Sequence, residues 1–207
     1  MAKYVITIAR GFGSGGRTIG RMLAKKLDID YYDSELIRLA SEESGINIEL
    51  FGKADERVKT NLFKRYNRNY AYDLIPHDSS EFVSNDNLFN YQAKIIRDLA
   101  KNKNCVIIGR CADHLLKDDP SAIRLFIYAD RNTCIKNVTE LYGIRPNEAD
   151  SRIEELDRAR AAYYRYHTGK EWDDAANYDL CINTTKLSFD QTVDAIIAHM
   201  RALGYIE

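Results

Sequence analysis

Apolar and polar positions along the chain form blocks that predict buried strands separated by amphipathic helices. Four runs rich in Val, Ile, Leu or aromatic residues lack regular polar alternation, as is typical of parallel strands covered on both faces. They lie at residues 4–9, 105–108, 123–129 and 178–183, and a shorter fifth strand is predicted at 29–32. Helical patterns separate these runs, which indicates βαβ units and an α/β fold with a doubly wound sheet.

Two helices have clear ends in the sequence. Ser188 and Gln191 form a capping-box pattern before a run of apolar residues at helical spacing, and Gly204 suits the C-terminal cap. A second helix is predicted to begin at Pro146 and to run to about residue 166. Residues 45–90 are more polar and loop-rich, so we interpret them as an inserted, mostly helical excursion rather than core.

Composition and charge narrow the class of protein. The 207 residues are 45% hydrophobic and 29% charged, as in a soluble globular protein, and the net charge of -1 provides no basic field for nucleic acid. No apolar run is long enough to span a membrane, and the first residues lack a signal-peptide pattern. The cysteines form no C-x-x-C pair, which favours reduced thiols. We therefore expect a cytoplasmic protein with no membrane or nucleic-acid partner.

A glycine-rich segment at residues 11–18, called the glycine loop below, follows the first predicted strand and precedes a helical pattern. It fits G-x-x-x-x-G-K-S/T with arginine in the lysine position. Glycines let backbone N–H groups approach phosphate oxygens, and the helix adds the positive end of its dipole. The predicted phosphate-binding residues are Gly11, Gly13, Ser14, Gly15, Gly16, Arg17 and Thr18. The hydroxyl of Thr18 is the candidate Mg²⁺ ligand.

Other charged and polar residues stand at strand ends or on an apolar helix face. The candidates are Asp33, Ser34, Arg38, Arg110, Asp157 and Arg160. Gly109 and Arg110 follow the apolar run at 105–108, and open α/β folds bind ligands at the carboxyl ends of their strands. Arg160 lies in the apolar stripe of its helix, so it points at the molecule and needs a partner. That partner is either an anionic substrate or Asp157, and each candidate taken singly also has a purely structural interpretation.

The order of these segments resembles the cytidylate-kinase-like family. The matching stretches are I-T-I-A-R-G-F-G-S-G-G-R-T, Y-Y-D-S-E-L-I, C-V-I-I-G-R-C-A-D-H-L-L, R-L-F-I-Y-A-D, L-D-R-A-R-A-A-Y-Y and W-D-D-A-A-N-Y-D-L-C-I-N. The resemblance spans nearly the whole chain and is weakest between about residues 50 and 85. It implies a P-loop NTPase-type three-layer sandwich, with a five-stranded parallel sheet in the order 2-3-1-4-5 and helices on both faces.

The resemblance also implies an organisation and a reaction. It implies one P-loop kinase domain over residues 1–207, with a helical insertion that binds a nucleoside monophosphate at about 34–100 and a lid-like region at about 143–172. True cytidylate kinases transfer the γ-phosphoryl group of ATP to CMP or dCMP with Mg²⁺. By similarity, Asp33 and Ser34 match residues that contact the nucleotide, and Arg38 and Arg110 match arginines that bind its phosphate. Asp157 and Arg160 match a D-x-x-R pair near the lid that contacts substrate.

These patterns predict an ATP-dependent kinase of a small phosphate-bearing acceptor, with a small-molecule nucleotide as substrate and a homodimer as a possible assembly. Arg17, Arg110 and Arg160 are the predicted catalytic residues, because arginines can stabilise the charge that develops on the transferred phosphoryl group. The arginine in the lysine position leaves a second hypothesis open, a nucleotide-binding regulatory or sensor protein with little turnover. A third is a kinase of a non-nucleotide metabolite.

Overall fold

A computed structural model of the chain describes residues 3–56 and 74–207. In it, five parallel strands form one sheet in the order β2-β3-β1-β4-β5. The strands are β1 Val5–Arg10, β2 Asp30–Tyr32, β3 Cys105–Ile108, β4 Ala122–Tyr128 and β5 Leu180–Asn183. The central strand β1 pairs Val5 with Cys105 on one side and with Ala122 on the other. The predicted α/β class and strand order are confirmed.

Helices cover both faces of the sheet. They are α1 Gly16–Leu27, α2 Glu35–Ser44, α3 Ile48–Glu56, α4 Asn85–Asn102, α5 Ala112–Leu115, α6 Arg131–Tyr142, α7 Pro146–Thr168 and α8 Phe189–Ala202. The capping box of α8 is present, with the Ser188 hydroxyl accepting from the Gln191 N–H and the Gln191 side chain accepting from the Ser188 N–H. Gly204 follows α8 with a φ of 76°, as predicted for a C-terminal cap. Helix α7 begins at Pro146, as predicted.

Alternation along β1 divides the core into two layers. Ile6 and Ile8 pack on the α1 and α8 face, together with the buried Leu23. Val5 packs on the opposite face with Ile107 and Phe89 of β3 and α4. Because both faces of the sheet are buried, its strands are apolar at successive positions, and the carboxyl edge is left as the place where polar side chains gather.

The interpretation of residues 45–90 as a mostly helical excursion rather than core is wrong for α3 and the start of α4, which contribute buried side chains, whereas residues 74–84 form largely exposed turns. Phe51 of α3 is fully buried, and Leu88 and Phe89 in the first turns of α4 are about 1% exposed. The apolar spacing within α4 places these side chains inward, although the polar segment before the helix hides this in the sequence. The polar segment at 53–72 lies largely outside the described residues.

The proposed division of the chain into functional regions stays a prediction. Helices α2, α3 and α4 fall largely within the predicted nucleotide-binding region at 34–100, and α7 falls within the predicted lid-like region at 143–172. In the described parts of the chain, no helix combines the length and the apolar character that crossing a membrane requires.

Candidate phosphate-binding site

The glycine loop connects the end of β1 to the start of α1 through two left-handed residues. Gly13 and Gly15 both have a φ of 84°, a conformation that is costly for any residue with a side chain. A Cβ on Gly13 would lie 2.6 Å from the backbone oxygen of Cys134 in α6. Gly13 is therefore required both by its own φ and by the close approach of α6.

Hydrogen bonds turn the carbonyl groups of the loop toward the protein. The Asn137 side chain donates to the Gly13 oxygen at 2.7 Å, and the Thr184 hydroxyl donates to the Ser14 oxygen at 2.9 Å. The Ser14 hydroxyl donates to the Gly11 oxygen at 2.9 Å. With these oxygens satisfied by protein donors, the opposite side of the loop presents N–H groups.

The N–H groups at the start of α1, unlike the carbonyl groups of the loop, are not used in hydrogen bonds within the described chain. The N–H groups of Gly15, Gly16, Arg17 and Thr18 have no acceptor among residues 3–56 and 74–207. The N-terminus of a helix with free N–H groups attracts anions, and no acidic residue lies in the first turn to satisfy them. This geometry fits the predicted phosphate-binding role of the loop.

Three of the predicted arginines line one cavity of about 430 Å³ beside the loop. Arg17, Arg110 and Arg160 reach this space from α1, from the turn after β3 and from α7, and Asp33 lines it from the end of β2. We call it the arginine cavity. Residues far apart in the sequence thus converge at the carboxyl edge of the sheet, where open α/β folds bind ligands.

Arg110 stands in a strained turn. Gly109, Arg110 and Cys111 are consecutive residues with φ values of 69°, 60° and 54°. Left-handed conformations of non-glycine residues cost about 1–3 kcal/mol each and are concentrated at functional sites. Burial lowers the pKa of Arg110. The turn therefore holds a partly desolvated cation in the wall of the cavity.

Asp157 and Arg160 connect α7 to the glycine loop. The Asp157 carboxylate accepts from the Phe12 N–H at 2.8 Å and from the Arg160 guanidinium at 3.0 Å. Arg160 also donates to the backbone oxygen of Arg10 at 3.1 Å. Burial raises the pKa of Asp157 and lowers that of Arg160. Of the two partners that the sequence left open for Arg160, an anionic substrate or Asp157, the structure shows Asp157. The pair positions α7 over the loop.

Arg17 is held by an ion pair. Its Nε lies 2.6 Å from a carboxylate oxygen of Asp33, whose side chain is 12% exposed, whereas that of Arg17 is 47% exposed. Burial lowers the pKa of Arg17, but the hydrogen bond and charge of Asp33 outweigh it and the net shift is upward. The structure therefore places Arg17 at the rim of the arginine cavity, directed toward the end of β2.

Ser34 and Arg38 are not brought into this cluster. Ser34 is exposed at the start of α2 and makes no capping hydrogen bond. Arg38 is exposed and pairs along the helix surface with Glu35 and Glu42. Helical spacing of three and four residues accounts for these pairs without a ligand, so a substrate-binding role for these two residues stays a prediction.

Sequence reasoning missed Arg10. It is the last residue of β1, it lines the arginine cavity, and its Nε is buried without a hydrogen-bond partner among the described residues. Burial, followed by the charges of Arg160, Arg110 and Arg17, lowers its pKa to about 9, against the opposing charge of Asp33. The rule that singled out Arg110, a charge at the end of a buried strand, also applies to Arg10.

A second cavity of about 460 Å³ adjoins the loop on the side of β4 and β5. Aromatic side chains of Phe126, Tyr128 and Trp172 line it, and Gly11 and Asp157 form its border with the loop. Trp172 also lines the arginine cavity. The lining of the second cavity is mainly apolar and includes one arginine, Arg131, whereas four arginines converge on the arginine cavity, so the latter is the candidate site.

Comparisons with known proteins agree with this picture. A model of the cytidylate kinase-like family matches residues 5–186. The cytidylate kinase of Methanopyrus kandleri is 26% identical over 203 residues, which cover 94% of this chain and 91% of that protein. The crystal structure of an uncharacterized protein from Eubacterium ventriosum has a TM-score of 0.70 at 26% identity, covering 96% of this chain and 98% of that one.

A more distant neighbour shares the fold alone. The crystal structure of a shikimate kinase from Bacteroides thetaiotaomicron has a TM-score of 0.53 at 16% identity, covering 99% of this chain and 100% of that chain. The family model, in contrast, spans the sheet, the glycine loop and the arginine cavity. With most of its length matched by that model, this chain belongs to the cytidylate kinase-like family.

Proposed function

We propose that the protein is an ATP-dependent kinase that transfers a phosphoryl group to a small phosphate-bearing acceptor, with CMP or dCMP as the first candidates. The observation that carries this proposal is the convergence of Arg17, Arg110 and Arg160 on one cavity beside a loop whose N–H donors find no acceptor in the described part of the chain. Family membership and the kinase relative support phosphoryl transfer as the reaction.

On the donor side, the N–H groups of the glycine loop would bind the phosphates of ATP. Thr18 stands half-buried in the first turn of α1, so its hydroxyl oxygen lies next to the proposed phosphate site and fits a ligand for Mg²⁺. When bound, Mg²⁺ neutralises charge between the phosphates. No cluster of three or more His, Cys, Asp or Glu side chains within residues 3–56 and 74–207 offers a metal site, which fits a cation that phosphate oxygens hold jointly with one hydroxyl.

On the acceptor side, Arg110 and Arg160 would bind the phosphate of the acceptor. Asp157 holds the guanidinium of Arg160 in place before any ligand arrives, and the left-handed turn fixes the backbone from which Arg110 reaches the cavity. Preorganised charges of this kind lower the barrier to phosphoryl transfer because they need no rearrangement as charge develops. No nucleophilic side chain is required, since the acceptor phosphate supplies the attacking oxygen.

One observation favours a second candidate, a nucleotide-binding regulatory protein with little turnover. The ion pair with Asp33 directs Arg17 toward β2 rather than along the glycine loop. If that pair persists when ATP is bound, phosphate binding would occur without efficient transfer. A kinase of a non-nucleotide metabolite would use the same arginines for a different anion.

A coupled assay of ADP release tests the proposal. The purified protein, with ATP and Mg²⁺, is supplied in turn with CMP, dCMP, UMP, AMP and GMP, and chelation of Mg²⁺ provides the blank. We expect turnover with CMP or dCMP, and a loss of at least about a hundredfold in kcat/KM for Arg110→Met. Arg152→Met is the matched control, because Arg152 is exposed and pairs with the neighbouring Glu155 on the helix surface. Binding of ATP without ADP release on any of these five nucleotides would contradict a nucleotide acceptor and favour the regulatory protein or the kinase of a non-nucleotide metabolite.

A further inference from the structure

Arg10 occupies a channel that two glycines provide. A Cβ on Gly16 would lie 2.6 Å from the Cβ of Arg10 and 3.0 Å from its Cγ. A Cβ on Gly109 would lie 2.4 Å from Nη1 of Arg10. Since real Cβ atoms do not approach so closely, the stem of Arg10 fills the space beside Gly16, and its guanidinium lies against Gly109. The side chain therefore runs from the start of α1 to the end of β3.

This position is unfavourable without an anion. The Nε atom of Arg10 is buried and unpaired within the described residues, and buried donors are normally satisfied. Its guanidinium is repelled by the like charges of Arg160, Arg110 and Arg17. The carboxylate of Asp33 attracts it, but that carboxylate is already paired with Arg17. A purely structural arginine would not be placed this way, because a buried donor without an acceptor destabilises the folded state.

A phosphate group would satisfy the same features. Arginine presents a planar fork of donors that matches phosphate oxygens, and several arginines around one space favour a group with two negative charges. Gly16 stands in the first turn of α1, among the N–H groups that no described residue accepts from, and Gly109 stands beside Arg110 in the wall of the arginine cavity. Arg10 therefore lies between the donor and acceptor sides of the cavity.

We propose that Arg10 is the cation that binds the phosphate shared between the glycine loop and the arginine cavity. Positions 16 and 109 are then occupied by glycine because any larger residue would collide with the side chain of Arg10. The inference rests on the proposed function for the identity of the ligand, a phosphate group of a bound nucleotide. It assigns to Arg10 the contact that the sequence motif assigned to Arg17. Arg17, paired with Asp33, then acts at the rim.

Binding measurements on the full chain test this assignment independently of turnover. Calorimetry gives the Kd for ATP and for inorganic pyrophosphate in wild type, Arg10→Met, Arg10→Lys, Arg17→Met and the control Arg152→Met. We expect Arg10→Met to weaken binding of both ligands by about tenfold to a hundredfold in Kd, the usual effect of losing a charged hydrogen-bonding partner. Arg10→Lys should recover part of the loss, and Arg17→Met should cost less than Arg10→Met.

Melting temperature adds a signature that a structural role would not produce. Without ligand, Arg10→Met should melt at or above the wild-type temperature, because it removes one positive charge and a buried donor without an acceptor from a cluster of arginines. A structural arginine would show the reverse, a lower melting temperature with unchanged Kd values, and this result would overturn the inference.

Gly16→Ala is a second test if Arg10→Met does not fold. The added methyl group displaces the stem of Arg10, so the Kd for pyrophosphate should rise severalfold, whereas Gly52→Ala, with no described atom within 4 Å of the new Cβ, should leave it unchanged. An unchanged Kd in Gly16→Ala overturns the inference.

The failure of this inference and the failure of the proposed function give different results. If Arg10→Met weakens binding but wild type releases no ADP with any acceptor, the proposed function fails and the inference stands. If wild type turns over and Arg10→Met leaves both Kd values unchanged, the inference fails and the proposed function stands.

Discussion

The contact between α7 and the glycine loop depends on the carboxylate of Asp157, and its removal should loosen the loop. Asp157 accepts one hydrogen bond from the Phe12 N–H at 2.8 Å and one from Arg160 at 3.0 Å. Asp157→Ala removes both, leaving a part-buried N–H without an acceptor and a part-buried guanidinium without its carboxylate. Asp157→Asn keeps an oxygen that can accept from Phe12 and removes only the charge.

The expected magnitudes follow from the two contacts. Hydrogen bonds to charged groups are worth about 1.5–3 kcal/mol. The side chains of Asp157 and Arg160 are 27% and 23% exposed, so solvent screens part of their attraction. We expect Asp157→Ala to lower the free energy of unfolding by about 2–3 kcal/mol and Asp157→Asn by about 1 kcal/mol. For a chain of this length, the larger loss corresponds to a fall of about 5–10 °C in melting temperature.

Urea unfolding and ATP binding measure the two consequences separately. Glu154→Ala is the control, because Glu154 makes an exposed ion pair with Arg158 on the same helix and its loss should cost less than about 0.5 kcal/mol. Asp157→Ala should also weaken ATP binding, since the Phe12 N–H anchors the loop. If Asp157→Ala costs no more than Glu154→Ala, or if Ala and Asn are equivalent at position 157, the assigned role of this hydrogen bond is wrong.

Two other changes should give effects of defined sign. Burial raises the pKa of Asp113 to about 6. The ordinary pKa of an aspartate is about 3.9, so between about pH 4 and 6 the carboxyl group is protonated in the folded protein and ionised in the unfolded chain. The free energy of unfolding therefore falls by up to about 3 kcal/mol as pH rises from about 4 to 7. In Asp113→Asn, which can still accept from the Tyr164 hydroxyl, urea unfolding should show a smaller decline over this range, and parallel pH curves would refute the assignment. Gly13→Ala should cost at least about 3 kcal/mol, the sum of a left-handed penalty of about 1–2 kcal/mol and a clash with the backbone of Cys134. Gly143 has the same sign of φ, and a Cβ there would meet no described atom within 4 Å. Thermal melts of Gly143→Ala should therefore show the φ penalty alone, and equal losses in the two variants would contradict the clash.

The sequence predicted the features that depend on local chemistry. Buried parallel strands are apolar at successive positions, so their locations followed from the pattern, with small shifts at the ends. The capping box of Ser188 and Gln191 is a local contact and was predictable for the same reason. The strand order, in contrast, came from the family resemblance, because periodicity carries no information about which strands pair.

Contacts between residues far apart in the chain could not be predicted from the pattern of apolar and polar positions. The Tyr164 hydroxyl donates to Asp113 at 2.6 Å although 51 residues separate them. Arg38 illustrates the opposite case, since its pairs with Glu35 and Glu42 at helical spacing were readable from the sequence and compete with a role in binding. Arg10 is the last residue of an otherwise apolar strand, so the sequence pattern did not single out its charge. Like Arg110, however, it stands at the carboxyl end of a buried strand.

Unfavourable features of the structure occur together at the carboxyl edge of the sheet. Arg110 and Cys111 are left-handed, Arg10 has an unpaired buried donor, and the N–H groups at the start of α1 lack acceptors in the described chain. Each lowers the stability of the free protein. Such features persist where the surrounding fold enforces them and a ligand relieves them. A polyanion at this edge would supply acceptors and offset the repulsion among the arginines. The stability of the fold and the occupancy of the site are therefore coupled through the same few side chains.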